Sequence, residues 1–176
     1  MIAVLQSRRS IRQYDTKSIE KEKLATLKEA VLRSPSSRGN QPWHFIFIED
    51  RGLIEGLARS KEHGSQFLAG APLAIIVCAD ENKSDVWIED CSIATTIAHL
   101  TAHSLGLGSC WIQIRKRAHD MHRTAESYIK DLLSLPDHLS VATILAVGYP
   151  AEEKSPIPRE SLDYGRISIN GFEQQA

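Results

Sequence analysis

The segment "SDVWIEDCSIATTIAHLTAHSLGLG" constrains the fold more than any other stretch of the chain. From Cys91 to Leu105 apolar and small residues occupy nearly every face of a helix. A helix of that kind must be covered on all sides, so it is predicted as the central, buried element. Ser84 is placed to cap its start, with Asp85, Glu89 and Asp90 near the positive end of the helix dipole. Gly106 and Gly108 end it.

Shorter elements surround this helix. "IEKEKLATLKEAVLRS" puts Ile19, Leu24, Leu27, Val31 and Leu32 on one helical face and stops at Pro35. "WHFIFIED" and "APLAIIVCAD" read as buried strands, separated by a polar helix from about Arg51 to Glu62. After Gly108, "SCWIQI" reads as a third strand, "MHRTAESYIKDLLSL" as a helix ending before Pro136, and "SVATILAVGYP" as a fourth strand. Helices separated by strands fit either an α/β or an α+β arrangement. At 176 residues the chain is expected to form one domain, 1–176, whose last part, about 151–176, is an extended arm. Within that arm "RISIN" alternates like a short strand and has no partner nearby in sequence.

Charge and composition exclude several classes of function. The formal net charge of −1 argues against a chain-wide electrostatic grip on nucleic acid, so any anion binding must be local. The apolar start is too short for a signal-peptide core, and no later run is long enough to span a membrane. Three cysteines, Cys78, Cys91 and Cys110, form no CxxC pair. They fit a reducing compartment, and a cytoplasmic protein is expected.

Two polar clusters stand out. "RRSIRQY" packs Arg8, Arg9 and Arg12 around Ser10, as a solvated turn, a nucleic-acid arm or a seat for one phosphate. "SPSSRGNQPW" concentrates Ser34, Ser36, Ser37, Arg38, Asn40 and Gln41 ahead of a buried strand. These residues serve turn chemistry, and the same set serves a binding loop on a rigid scaffold. His99 and His103 share a helical face at i, i+4, but no third metal ligand is spaced to join them. "GLGSC" is neither GxSxG nor GxGxxG, and a helix end followed by a strand accounts for its glycines. Cys110 lies in an apolar setting that does not favour a thiolate. No nucleophile–base pair or carboxylate dyad emerges, so any catalysis would rest on a bound cofactor.

In order along the chain, "RRSIRQY", "SPSSRGNQPWHFIFI", "APLAIIVCAD", "EDCSIATTIAHLTAHSLGLGSCWI" and "AVGYP" resemble the FMN-dependent nitroreductase family, from about Arg8 to Asn170. The resemblance implies an α+β, three-layer fold with a mostly antiparallel sheet flanked by helices. It implies an intertwined homodimer, with the C-terminal strand "RISIN" added to the partner's sheet and FMN held by both subunits. Arg8, Arg9, Ser10 and Arg12 would grip the phosphate and the flavin edge. Pro35, Ser36 and Ser37 would reach the flavin of the partner subunit, and Arg159 would close on the phosphate. Backbone N–H groups near Gln113 and Ile114 would face flavin N5, which carries the chemistry with no catalytic side chain.

The implied activity is hydride transfer from NAD(P)H by a ping-pong mechanism to nitroaromatics, quinones or similar small acceptors. Two alternatives share the fold: a different flavin reaction, such as dehalogenation or flavin breakdown, and a binding or sensing module without turnover. No metal, nucleic acid or membrane is implied. Three positions depart from the family pattern and bear on substrate range. Gly39 stands where many relatives have Asn, Ile114 stands where many have Gly and would narrow the space over the flavin, and no amide occurs near Thr96 or Ile97.

Overall fold

A computed structural model describes residues 1–172. Its sheet has four strands, β1 (Trp43–Ile48), β2 (Leu73–Asp80), β3 (Gly108–Gln113) and β4 (Leu139–Gly148). They lie in the order β1-β2-β4-β3 with every neighbouring pair antiparallel, so the architecture is α+β. Of the central pair, β2 is an apolar run from Leu73 to Ala79 and β4 is one interrupted by Ser140 and Thr143, because helices cover both faces of the sheet.

Among the described residues five α-helices accompany the sheet: α1 (Ile2–Ser7), α2 (Lys21–Leu32), α3 (Arg51–Ala58), α4 (Trp87–Ser104) and α5 (Ala125–Leu133). Successive strand residues point to opposite faces and so build two cores. On one side Ile76 and Ile144 meet Ile54 and Leu57 of α3 and Ile129 of α5. On the other, Ile75, Val77 and Leu145 meet Leu27 and Val31 of α2 and the small residues of α4. The three layers match the expected fold.

The central helix differs from expectation in two respects. Cys91, Ala94, Ala98 and Ala102 are fully buried, their small side chains letting α4 settle on the sheet. Its outer face is not covered within one chain: Ile93 is 41% exposed and Thr96 is also open. Ser84 does not cap the helix, whose N-cap position is Val86 and whose first residue is Trp87. The Ser84 hydroxyl donates instead to Asp90 Oδ2 at 2.9 Å.

The sequence gives no warning of α1. It packs on α4 and directs the arginine-rich segment toward the sheet. After Glu152 the tail follows the surface through turns at Arg159–Ser161 and Tyr164–Arg166. Residues 166–170, expected to pair as a strand, form none within this chain, and Ile167 and Ile169 are 66% and 77% exposed. The last four positions of the expected arm, 173–176, lie outside the described residues.

Candidate flavin site

The segment from Arg8 to Tyr14 is held against one edge of the sheet. Ser10 bridges Ser109 of β3, and Ile11 N–H donates to Ser109 O at 3.0 Å. This approach requires Gly108, since a Cβ there would meet Ile11 Cβ and Cγ2 at 2.8 Å. The start of the tail clamps the segment from outside. Glu152 Oε1 accepts from the N–H groups of Arg12 and Gln13 at 2.5 and 3.2 Å, and Lys154 Nζ donates to Ser10 O at 3.0 Å.

So fixed, the three arginines fan out; they do not share one corner. Arg8 turns to α4, where its Nη1 lies 2.8 Å from His99 Nε2. Arg9 donates to the carbonyl of Ser155 in the tail. Arg12 lies over the Phe67 ring, 5.7 Å from its centroid. A cavity of about 700 Å³ brings Arg8 together with Arg159 from the far end of the chain. Ile2, Leu5, Ile157 and Tyr164 supply its apolar and aromatic walls.

The histidines of α4 hold this corner. Arginine has donors only, so His99 Nε2 must accept from it, and the ring proton sits on Nδ1, directed at Ser109 Oγ. Burial, with Arg8 and His103 alongside, lowers the His99 pKa from 6.5 to about 4, so the ring is neutral near pH 7. Ser7 Oγ gives its one proton to Ala3 O and therefore accepts from His103 Nε2 at 2.7 Å. The i, i+4 pair thus secures Ser7 and Arg8, a role that sequence spacing did not suggest.

At β3, Ile114 N–H donates to Ala142 O at 3.3 Å, and the Ile114 side chain is fully buried in the core layer with α3 and α5. The two expectations placed on Ile114 are therefore corrected: its N–H is spent on β4, and its side chain does not narrow any open space. In an antiparallel ladder the hydrogen-bonding direction alternates, which turns the N–H and C=O of Ser109, Trp111 and Gln113 to the outer edge. Ser109 O uses that direction to receive Ile11 N–H, and Gln113 N–H faces the same way. Beyond Ser109 no strand lies beside this edge among the described residues.

The Pro35–Ser37 loop is anchored elsewhere. Ser37 N–H donates to Asp90 Oδ1 at 2.8 Å, and Arg38 pairs with Asp85 at 2.7 Å. Arg38, Gly39 and Gln41 adopt φ of +54°, +71° and +46°, so the loop holds two non-glycine residues in the left-handed region, where the backbone is strained. Ser36 Oγ accepts from Gln41 N at 3.0 Å, leaving Pro35 exposed at the tip. Asp90 and His99 are nine residues apart on α4, roughly 13 Å along its axis, so within one chain this loop and the arginine corner are separate.

An α+β chain with a two-arginine cavity between its N-terminal helix and its C-terminal tail, and a strained polar loop at the far end of α4, defines a narrow class. The nitroreductase family model matches residues 5–62 and 53–149. An FMN-dependent nitroreductase from Clostridium difficile R20291 is 45% identical, with 98% of this chain and 100% of that one covered and a TM-score of 0.96. A protein of Archaeoglobus fulgidus whose name joins NADH dehydrogenase and NAD(P)H nitroreductase is 35% identical over 157 residues, 87% of each chain. An FMN reductase [NAD(P)H] from Bacillus subtilis strain 168 is 26% identical, covering 97% of this chain and 75% of its own. The chain belongs to the nitroreductase family.

Proposed function

We propose that the protein is an FMN-dependent oxidoreductase that takes hydride from NAD(P)H by a ping-pong mechanism and reduces nitroaromatics, quinones or similar small acceptors. The observation that carries this reading is the convergence of Arg8 and Arg159 on one cavity. Two guanidinium forks suit the dianionic phosphate of FMN, and the volume lies within the range of ligand pockets. Bound FMN supplies a carrier of two electrons, which explains a site without a nucleophile–base pair.

The protein's own groups bind and orient. Arg8 and Arg159 seat the phosphate, with Arg9 tying the tail beside them. Arg12, with Ser10 beneath it, presents a cation at the flavin edge. Gln113 N–H supplies a fixed donor, and a preorganised donor of this kind stabilises charge that develops on the ring.

The working unit is a homodimer in which each chain is a single flavin-binding domain and the tail is an arm for its partner. The uncovered face of α4 around Ile93 supports this. So does the outer edge of β1, beside a cavity of about 440 Å³ lined by Val31, Leu32, Trp43, Phe45 and Phe47. Because Ser10 already caps the start of β3, β1 is the edge free along its whole length among the described residues to receive the partner's 166–170. In that dimer the Pro35–Ser37 loop contributes to the flavin of the partner.

No helix among the described residues is long and apolar enough to cross a membrane, and three free cysteines fit a cytoplasmic setting. Purification tests the reading directly. A yellow dimer that bleaches with NAD(P)H in the absence of oxygen and recovers with a quinone is expected. A colourless protein that fails to take up FMN would overturn it.

A further inference from the structure

We propose that His99 is a positioning residue of the phosphate seat, accepting a hydrogen bond from one edge of the Arg8 guanidinium so that its other donors face the cavity shared with Arg159. The inference rests on the flavin reading above and assigns a task to a residue outside the expected binding set.

The geometry is a relay of three groups from three elements. Ser109 of β3 receives the Nδ1–H of His99, which fixes the ring and leaves Nε2 as an acceptor. Nε2 then takes a proton of Arg8 Nη1 at 2.8 Å. A guanidinium carries five donors in a planar fork, so holding one leaves the rest to grip an anion. Arg8 has six neighbours in sequence on a short helix and no carboxylate partner among the described ion pairs. A neutral acceptor therefore orients it without cancelling the charge that a phosphate needs. A carboxylate in place of His99 would orient Arg8 equally well and compete with the ligand.

The test separates orientation from folding by using two ligands. The full-length chain, freed of flavin, is titrated with FMN and with riboflavin, which lacks the phosphate, and quenching of flavin fluorescence gives each dissociation constant. His99→Leu removes the acceptor, and His99→Asn keeps a group for Ser109 but falls short of Arg8. His99→Gln places a carbonyl oxygen where Nε2 stands.

Leu and Asn variants should bind FMN roughly ten-fold more weakly, the size of a lost charge-assisted hydrogen bond, with riboflavin affinity unchanged. The Gln variant should restore FMN binding. If His99→Leu unfolds, visible as loss of the far-ultraviolet circular dichroism signal, the Asn and Gln pair carries the comparison alone. Unchanged FMN affinity in the Asn variant would overturn the proposal, and so would an equal loss of FMN and riboflavin. Wild-type protein that binds neither ligand would instead overturn the flavin reading, and the role of His99 with it.

Discussion

Ser37 and Asp90, 53 positions apart, are joined by a backbone N–H to carboxylate hydrogen bond of 2.8 Å, and this contact sets the polar loop on the first turn of α4. Asp90 is 2% exposed and also accepts from the Ser84 hydroxyl at 2.9 Å. Asp90→Ala would leave both donors without a partner in a buried place. A loss of about 2–4 kcal/mol is expected in urea unfolding at fixed protein concentration. Asp90→Asn keeps one acceptor oxygen and should lose about half of that. In both variants weaker FMN binding should accompany the loss, because the loop carries Pro35 and Ser37.

Arg8 and Arg12 are distinguishable despite their proximity in sequence. Arg8 lines the cavity with Arg159, whereas Arg12 lies over Phe67 on a different element. Arg8→Ala should weaken FMN far more than riboflavin, because the proposed site sets Arg8 against the phosphate. Arg12→Ala should weaken both ligands alike, because the proposed site sets Arg12 at the ring edge. Parallel titrations of the two variants decide the matter, and identical FMN-to-riboflavin ratios would reject the assignment. Arg12→Ala should change thermal unfolding of the flavin-free chain little, whereas Arg8→Ala leaves His99 Nε2 without its donor and should cost about 1 kcal/mol.

Which features were legible in the sequence follows from how local their causes are. Strand β2 was readable because burial on both faces leaves a nearly continuous apolar run, "LAIIVCAD", and β4 because its run is broken only by Ser140 and Thr143. Helix α1 was not, because six residues cannot display a period and its stability comes from α4. The fate of Ile114 depends on its register against Ala142, which no local pattern encodes. Ser84 has the chemistry of a cap, yet it lies before the Val86 N-cap position, and its hydroxyl is turned to the buried Asp90 carboxylate. The arginine cluster was visible as a cluster, but the direction of each guanidinium is set by partners 55 to 146 residues away, such as His99 and Ser155.

Gly108 tests the mount of the binding segment. Its φ is ordinary, so the constraint is space: an added Cβ would meet the Ile11 side chain at 2.8 Å. Ile11 sits in the core and cannot yield freely. Gly108→Ala should cost about 1–3 kcal/mol by overpacking and push the Arg8–Arg12 segment off β3. Unfolding curves and FMN titration should therefore change together. A Gly106→Ala control meets no atom within 4 Å; only its φ of +74° opposes it, so it should reduce stability while leaving the segment in place.

The β1 edge makes the proposed dimer testable from two sides. Phe47→Glu places a charge in the apolar groove, and Ile167→Glu with Ile169→Glu places charges on the segment meant to fill it. Each set should move the protein from dimer to monomer mass in light scattering coupled to gel filtration. FMN should be lost with the dimer if, as proposed, the Pro35–Ser37 loop reaches the partner's flavin. A tail variant that remains a dimer with normal flavin content would reject the β1 docking.

The pH dependence of stability should carry a signature of His99. The ring faces Arg8 from the N-terminal segment, His103 on its own helix and Ser109 from β3, and its folded pKa is lowered to about 4 from 6.5. Between those values the unfolded chain binds a proton that the folded chain refuses, so stability falls as pH falls through this window. Above pH 6.5 the group contributes fully, and below about 4 its contribution is gone. His99→Gln cannot titrate and should lack this component. Urea midpoints for the flavin-free wild type and variant, taken between pH 7 and 4.5, should show the wild type losing ground steadily as acid is added. A constant gap between the two proteins would show that burial, with Arg8 and His103 alongside, does not hold His99 neutral.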